Sequence, residues 1–355
     1  MRQNNKPFVT IVAPCYNEEA IIELNINTIA AYMQQREYKY DWEILIVNDG
    51  SKDKTAYLAD ELVKKGNGKI RVIHHPTNLN LGNAIKTGFS NSLGDIIVII
   101  DIDLSYNTDN IERMVDKLIE TSADMVLASP YMKGGKVTAV PFMRRVMSKW
   151  VNRFMHFAAQ DKYHTFTGMV RAYRKSFIQT LNLKSRDYEI NPEIMYKAMI
   201  LRARIEEIPS HLDWTEQNKF AGKRKSSLRV VRSFFSGLMS AFIFRPYIFF
   251  MGIGAVLIAL SLYELVWLLI NTLNDLANKS SLSGYGGWSF SNSLASEFKK
   301  NPQSFLVGGI TFMISIQFFS LGFLSLQNKR YFEELFHLGS ALKKQITNKS
   351  NQDNA

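Results

Sequence analysis

The sequence predicts an α/β domain with a mostly parallel sheet, followed by interfacial amphipathic helices and two transmembrane helices. Three observations lead there. Short apolar runs alternate with helical patterns between residues 8 and 128. Turn-rich, chemically dense loops follow those runs. Two long stretches near the C-terminus are almost free of charge.

The elements follow in order. FVTIVA at 8–13 is an apolar strand that stops at Pro14 and opens into CYNEE. Residues 20–35 place Ile21, Ile22, Leu24, Ile26, Ile29 and Tyr32 at helical spacing. EILIV at 43–47 is a second strand, followed by NDGSKDKT and a helix over 55–65. IRVIH at 70–74 is a third strand, with a helix from about Gly82 to Leu93. DIIVII at 95–100 is a fourth, ending in the acidic run DIDLSYN. A helix over 109–120 and a strand at 124–128 complete the series. Strands alternating with helices at this spacing form a parallel sheet covered on both faces. Such sheets bind ligands at the carboxyl ends of their strands. CYNEE, NDGSKD and DIDLSYN are therefore expected to converge.

From Pro246 to Leu273 the only charged residue is Glu264, and from Ser304 to Leu326 there is none. Each run exceeds the roughly 20 residues that cross a bilayer as a helix. Lys223, Arg224, Lys225, Arg229, Arg232 and Arg245 precede the first run, and Lys329, Arg330, Lys343 and Lys344 follow the second. The connection over 274–303 holds only Lys279, Lys299 and Lys300. The positive-inside bias predicts an integral membrane protein with its N-terminal domain and both termini cytoplasmic, and a short Gly/Ser-rich loop outside. Glu264 falls near the outer interface, where it either snorkels or makes a polar contact with a second helix or subunit. Glycine pairs Gly252/Gly254 and Gly308/Gly309 permit close helix packing, so a homo-oligomer stays open. The expected division is a domain over 1–225, a juxtamembrane amphipathic helix over 226–244, a two-helix membrane domain over 245–330 and a polar, frayed tail over 331–355. The spans are placed at 246–273 and 304–327.

The formal charge of +11 points to an anionic partner: nucleic acid, phosphate-rich ligand or acidic lipid. Clustering of that charge beside the apolar runs disfavours nucleic acid. The single cysteine, Cys15, excludes an internal disulfide and reads as a small buried residue. The N-terminal stretch MRQNNKPFVTIVAPC lacks the pattern of a signal peptide.

Asp101 and Asp103 end an apolar strand, where unpaired carboxylates are costly. Two carboxylates at one mouth of a sheet suit Mg²⁺ or Mn²⁺, hard cations held by one or two carboxylates plus substrate phosphates. Over 141–159, Met143, Val146, Met147, Trp150, Val151, Phe154 and Met155 form an apolar stripe with Arg144, Arg145, Lys149 and Arg153 on other faces. Such a helix either packs on the core or lies on a lipid surface. Arg144 and Ser148 are four residues apart and share a face, so a cation and a hydroxyl are available to one phosphate.

TIVAPCYNEEAII, EILIVNDGSKDKT, NLGNAIKTGF and DIIVIIDIDLSYN occur in this order and spacing. Together they resemble the inverting family 2 glycosyltransferases with the GT-A nucleotide-sugar fold. LASPYMKGGKV, RRVMSKWVN, FTGMVRAYRK and EEIPSHLDW…GKRKSSLR resemble the polyprenyl-phosphate branch of that family. The resemblance covers about residues 8–235. It implies a membrane-bound enzyme moving one sugar from a nucleotide-sugar donor to polyprenyl phosphate (undecaprenyl or dolichyl), with Mg²⁺ or Mn²⁺. It implies that Pro14, Tyr16, Asn17 and Glu18 line the nucleotide pocket and that Asp49 contacts base or ribose. Asp101 would face the nucleotide-sugar and Asp103 the metal. Arg144 and Ser148 would hold the acceptor phosphate. Lys219, Lys223 and Lys225 would belong to a basic loop over the donor diphosphate.

His164, Thr165, Thr167, Gly168 and Arg171 either shape the sugar pocket or form an ordinary strand–turn–strand. Four positions depart from the family pattern. Ser105 stands where Gln often completes the metal site, Pro130 replaces a frequent Arg, Asn48 an Asp, and Lys219 an Arg. Rival readings are a processive polysaccharide synthase, a transferase to a lipid hydroxyl, and a non-catalytic membrane scaffold. The first usually carries Q-x-x-R-W, and none of the tryptophans at 42, 150, 214, 267 and 288 follows an arginine.

Overall fold

The computed structural model describes residues 6–142, 145, 146, 148, 149, 153, 163–215, 246–282 and 289–353. The chain divides into two compact units, residues 1–241 with 335–355, and residues 242–334. The first unit contains, in chain order, β1 (Phe8–Cys15), α1 (Ile22–Gln34), β2 (Asp41–Asn48), α2 (Thr55–Lys65), β3 (Ile70–His74), α3 (Leu81–Asn91), β4 (Ile96–Ile99), α4 (Asp109–Glu120), β5 (Met125–Ser129), β6 (Lys136–Thr138), β7 (Arg171–Arg174), α5 (Lys175–Ile178), α6 (Ile190–Ile200), β8 (Ile205–Pro209) and β9 (His211–Asp213).

The main sheet has seven strands in the order β3-β2-β1-β4-β7-β5-β8, and β6 pairs with β9 in a small second sheet. β1 is parallel to β2 and to β4, and β2 to β3. Every residue of β1 and β4 is buried, as expected where helices cover both faces of a parallel sheet. On α1 the buried residues Ile22, Ile26, Ile29 and Met33 recur every three or four positions, so one stripe faces the core.

β7 is the one antiparallel strand of the main sheet, inserted between β4 and β5 with Ile97 opposite Tyr173 and Val126 opposite Ala172. FTGMVRAYRK thus contributes a central strand. Its entry residue, Arg171, is fully buried.

The second unit holds α7 (Pro246–Leu282), α8 (Phe290–Lys300) and most of α9 (Pro302–Asp353). α7 and α9 each contain a stretch long and apolar enough to cross a membrane. Ser261 Oγ donates to the Gly308 carbonyl at 3.0 Å, and the rings of Phe250 and Phe318 lie 6.2 Å apart. These pairings make α7 and α9 an antiparallel hairpin. Gly254, Ser261 and Leu268 are buried on α7, and Gly308, Ser315 and Gly322 on α9. Both sets recur every seven residues, the spacing of a left-handed helix seam. A Cβ on Gly322 would fall 2.6 Å from Met251 Cγ, and one on Gly254 would fall 3.1 Å from the Phe319 ring. Gly252 and Gly309 have nothing within 4 Å of that position. One glycine of each pair therefore serves the hairpin. Glu264 lies against Gly308, with its Cβ 3.4 Å from where a Gly308 Cβ would be, so it borders the second helix.

Two expectations are corrected here. The connection between the spans is not simply a Gly/Ser-rich loop: α7 continues to Leu282, and residues 290–300 form α8, capped by Ser289. Lys300 bridges Asp275 and Glu297 at 3.0 and 2.8 Å, fastening α8 to α7. The tail is not frayed either, since α9 runs without interruption to Asp353.

Candidate active site

β1, β2 and β4 are adjacent and parallel, so the loops after Cys15, Asn48 and Ile99 emerge at one edge of the sheet. The first two loops are laced together through backbone groups. Asn17 N–H donates to Ser51 Oγ (2.9 Å), and Lys52 N–H donates back to Asn17 Oδ1 (2.8 Å). Glu18 N–H donates to Thr55 Oγ1 (2.8 Å), and Lys54 N–H to Glu19 Oε2 (2.9 Å). Asn17 adopts φ +56°, a left-handed turn that Asn tolerates better than most residues. Gly50 has φ +65°, and a Cβ there would meet Thr77 C at 2.3 Å, so only glycine fits.

Pro14, Tyr16, Asn17 and Glu18 occupy this laced edge. Pro14 is buried in β1, and Tyr16 is 38% exposed. Cys15 between them is buried, and burial, followed by the nearby Glu18, Asp53 and Asp49, pushes its thiol up to about 12. It is a packing residue with no thiolate to offer.

Asp49 is buried, with Oδ1 accepting from Leu79 N–H at 2.9 Å and facing His75 Nδ1 at 2.7 Å. His75 Nε2 in turn contacts Thr87 Oγ1 of α3 at 2.9 Å. The sequence reading did not single out His75 or Thr87. The only signal was the pair His74-His75 at a strand end, which reads equally well as a turn.

The acidic run forms a tight turn. Leu104 has φ +49°, and its N–H donates to the Asp101 carbonyl at 3.1 Å. Ser105 N–H donates to Asp103 Oδ1 at 2.9 Å, fixing that carboxylate. Ser105 O accepts from Asp213 N–H at 2.9 Å, which ties the turn to β9. Asp101 and Asp103 are partly exposed, whereas Ser105 is buried. Burial, followed by Asp101 and Tyr131, raises the pKa of the Tyr106 phenol. No third Asp, Glu, His or Cys joins the two carboxylates among the described residues. The donor set therefore fits a hard cation that takes its remaining oxygens from water or a bound phosphate.

Ser148 accepts a 2.8 Å hydrogen bond from the Tyr131 hydroxyl, which ties it to the loop after β5. Residues 142, 145, 146, 148, 149 and 153 are helical, and the other positions from 143 to 159 of the helix expected over 141–159 lie outside the described residues. Arg144, Lys219, Lys223, Lys225 and the helix expected over 226–244 lie outside the described residues.

The segment 164–168 is held by two charged side chains. Glu207 accepts from the N–H groups of His164 and Thr165 at 3.1 Å, and faces His164 Nδ1 at 2.8 Å. Arg171 donates to the carbonyls of Gly168 (2.7 Å), Phe166 (2.7 Å) and Asn191 (3.1 Å). Burial holds the Arg171 guanidinium below its usual value, opposed by Tyr173 and Glu207. Arg171 thus shapes this segment from inside the core and presents no face to a ligand.

Residues 10–181 match the family model described as "Glycosyl transferase family 2". A polyprenol monophosphomannose synthase of Mycolicibacterium smegmatis is 28% identical over 223 residues, covering 61% of this chain and 81% of the relative. A dolichol-phosphate mannosyltransferase of Pyrococcus furiosus is 30% identical over 204 residues, covering 57% of this chain and 55% of the relative. Glucosyl-3-phosphoglycerate synthase from Mycobacterium tuberculosis, solved with Mn²⁺ and uridine diphosphate, overlaps with a TM-score of 0.45 and 17% identity, covering 66% of this chain and 80% of that one. The motifs that follow β1, β2 and β4 all fall inside the stretch that the glycosyl transferase family 2 model matches.

Proposed function

We propose that this glycosyltransferase moves one sugar from a nucleotide-sugar to polyprenyl phosphate at the cytoplasmic face of a membrane. One observation carries the reading: the acidic turn after β4 opens at the same sheet edge as the laced loops after β1 and β2, in a chain with two helices of membrane-crossing length. The likeness to a polyprenol monophosphomannose synthase and a dolichol-phosphate mannosyltransferase supports the choice of acceptor.

In this reading Pro14, Tyr16, Asn17, Glu18 and Asp49 bind the nucleotide. Asp101 faces the nucleotide-sugar, and Asp103 holds Mg²⁺ or Mn²⁺ with Asp101 and Ser105. The bound cation supplies neutralisation of the departing diphosphate. Arg144 and Ser148 grip the acceptor phosphate, and Lys219 covers the donor diphosphate. The acceptor oxygen is already anionic near neutral pH, so it needs little help from a general base, unlike a sugar hydroxyl. Catalysis rests on alignment and on charge compensation at the leaving group. In-line attack inverts the anomeric centre. The two spans keep the site at the level where lipid phosphate resides, with both termini cytoplasmic. Residues 1–225 act as the catalytic domain and 245–330 as the anchor.

The test is reconstitution of the purified protein with undecaprenyl or dolichyl phosphate, Mn²⁺ or Mg²⁺ and a panel of radiolabelled nucleotide-sugars. Label entering the organic phase, and lost with Asp103→Ala, is the expected result. Folded protein that transfers no label to any lipid phosphate overturns the acceptor assignment and moves the search to hydroxyl acceptors.

A further inference from the structure

The chain Asp49–His75–Thr87 links two successive strand–helix units below the nucleotide edge. Asp49 follows β2, His75 follows β3, and Thr87 lies on α3. Asp49 and His75 are 5% and 8% exposed at their side chains. The proton assignment follows from chemistry. An ionised Asp49 only accepts, so His75 Nδ1 carries the proton that faces it. Nε2 meets the Thr87 hydroxyl at 2.9 Å, and this second hydrogen bond fixes the ring. His75 is also held through its backbone, its N–H donating to the Asn48 carbonyl at 2.9 Å. Both hydrogen bonds accepted by Asp49 among the described residues fall on Oδ1. Oδ2 is the oxygen left to a ligand.

We propose that His75 is a positioning residue for donor recognition: backed by Thr87, it holds one oxygen of Asp49 so that the other is presented, at fixed orientation, to a nucleoside diphosphate. This rests on the reading of Asp49 as a base or ribose contact. A buried carboxylate without a second donor would be free to rotate, and a ligand would pay to order it. The paired carboxylate is already in place.

The experiment uses the full chain in detergent with Mn²⁺. UDP, GDP, ADP, CDP and dTDP are titrated by calorimetry into wild type, His75→Leu, His75→Asn, Thr87→Val and Asp49→Asn, and into Asp49→Asn combined with His75→Leu. The expected result is one preferred nucleoside diphosphate, bound about tenfold more weakly by His75→Leu, as befits loss of one charge-assisted hydrogen bond. His75→Asn restores most of the affinity, because its amide donates from nearly the position of Nδ1. Thr87→Val gives a smaller loss and serves as the second variant if His75→Leu fails to fold. In the Asp49→Asn background, where an amide NH₂ replaces the oxygen offered to the ligand, His75→Leu adds little, since the ligand contact that His75 positions is already lost. In turnover, His75→Leu raises the donor KM while kcat and acceptor KM hold. Equal affinity of wild type and His75→Leu overturns the role of His75 alone, as do losses that add in the double variant. Wild type that binds none of the five overturns the nucleotide reading of Asp49 together with it.

Discussion

Replacing Arg171 with Met removes the guanidinium and keeps a long apolar stem. The carbonyls of Phe166 and Gly168 lose their donor, while that of Asn191, in the first turn of α6, keeps its place in the helix ladder. Each unsatisfied group costs about 1–3 kcal/mol where water is excluded. Removing a buried cation relieves a desolvation penalty of several kcal/mol, which offsets part of that loss. With both losses near the upper end of that range, because the donor is charged, the net is about 3 kcal/mol. The loss should be local, because Arg171 grips 166–168 from one side while Glu207 grips 164–165 from the other. At about 1.4 kcal/mol per decade, opening of this segment becomes roughly 100-fold more frequent. Hydrogen exchange read by mass spectrometry on peptides covering 163–174 is the assay, with α1 peptides as the internal reference. Arg171→Lys keeps the charge and loses the planar fork, so it should fall between wild type and Arg171→Met. Exchange within about threefold of wild type in the Arg171→Met peptides would refute the argument that this arginine holds the segment.

Three further outcomes follow from the geometry. Gly322→Leu, whose Cβ would meet Met251 Cγ at 2.6 Å, should separate the α7–α9 hairpin and lower the melting temperature in detergent, whereas Gly252→Leu, with open space at that position, should leave it unchanged. Glu193 is pushed up by burial, but the hydrogen bonds from Lys197 and from the N–H groups of Lys184 and Ser185 outweigh this and hold it below 4.5. A depressed folded value means that its stabilisation is present above about pH 4.5 and is lost as pH falls through the folded value, so Glu193→Gln should flatten the acid limb of a melting-temperature profile. Cys15, buried and pushed up to about 12, should resist maleimide under native conditions at pH 8 and react only after unfolding, as read by intact mass.

The first five strands and four helices were legible because each states its environment in its composition. FVTIVA and EILIV are apolar without alternation, which only a strand covered on both faces can bury. The acidic pair was legible as a site for the opposite reason: Asp101 and Asp103 contradict the apolar run they end. RAYR was harder. Two arginines and a tyrosine do not read as a central strand, and only the carbonyls around Arg171 make that burial tolerable. α6, INPEIMYKAMI, hides for a similar reason, since its Glu193 and Lys197 are buried as a pair rather than displayed on a polar face. His75 was invisible because its meaning lies in Asp49 and Thr87, which are 26 and 12 residues away in the chain.

The seven-residue rhythm of glycine, serine and leucine between α7 and α9 has a consequence for how the hairpin can change. Its cohesion comes from close backbone approach, so the bulky outward residues such as Val256, Leu260, Tyr263, Ile310 and Phe323 contribute little to it. Those positions can drift among apolar types and adapt to a thicker or thinner bilayer without loosening the pair. The small ones cannot. An engineer wishing to move this anchor into another membrane could rewrite nearly all of its lipid-facing surface, provided that every seventh letter on each helix stays as it is.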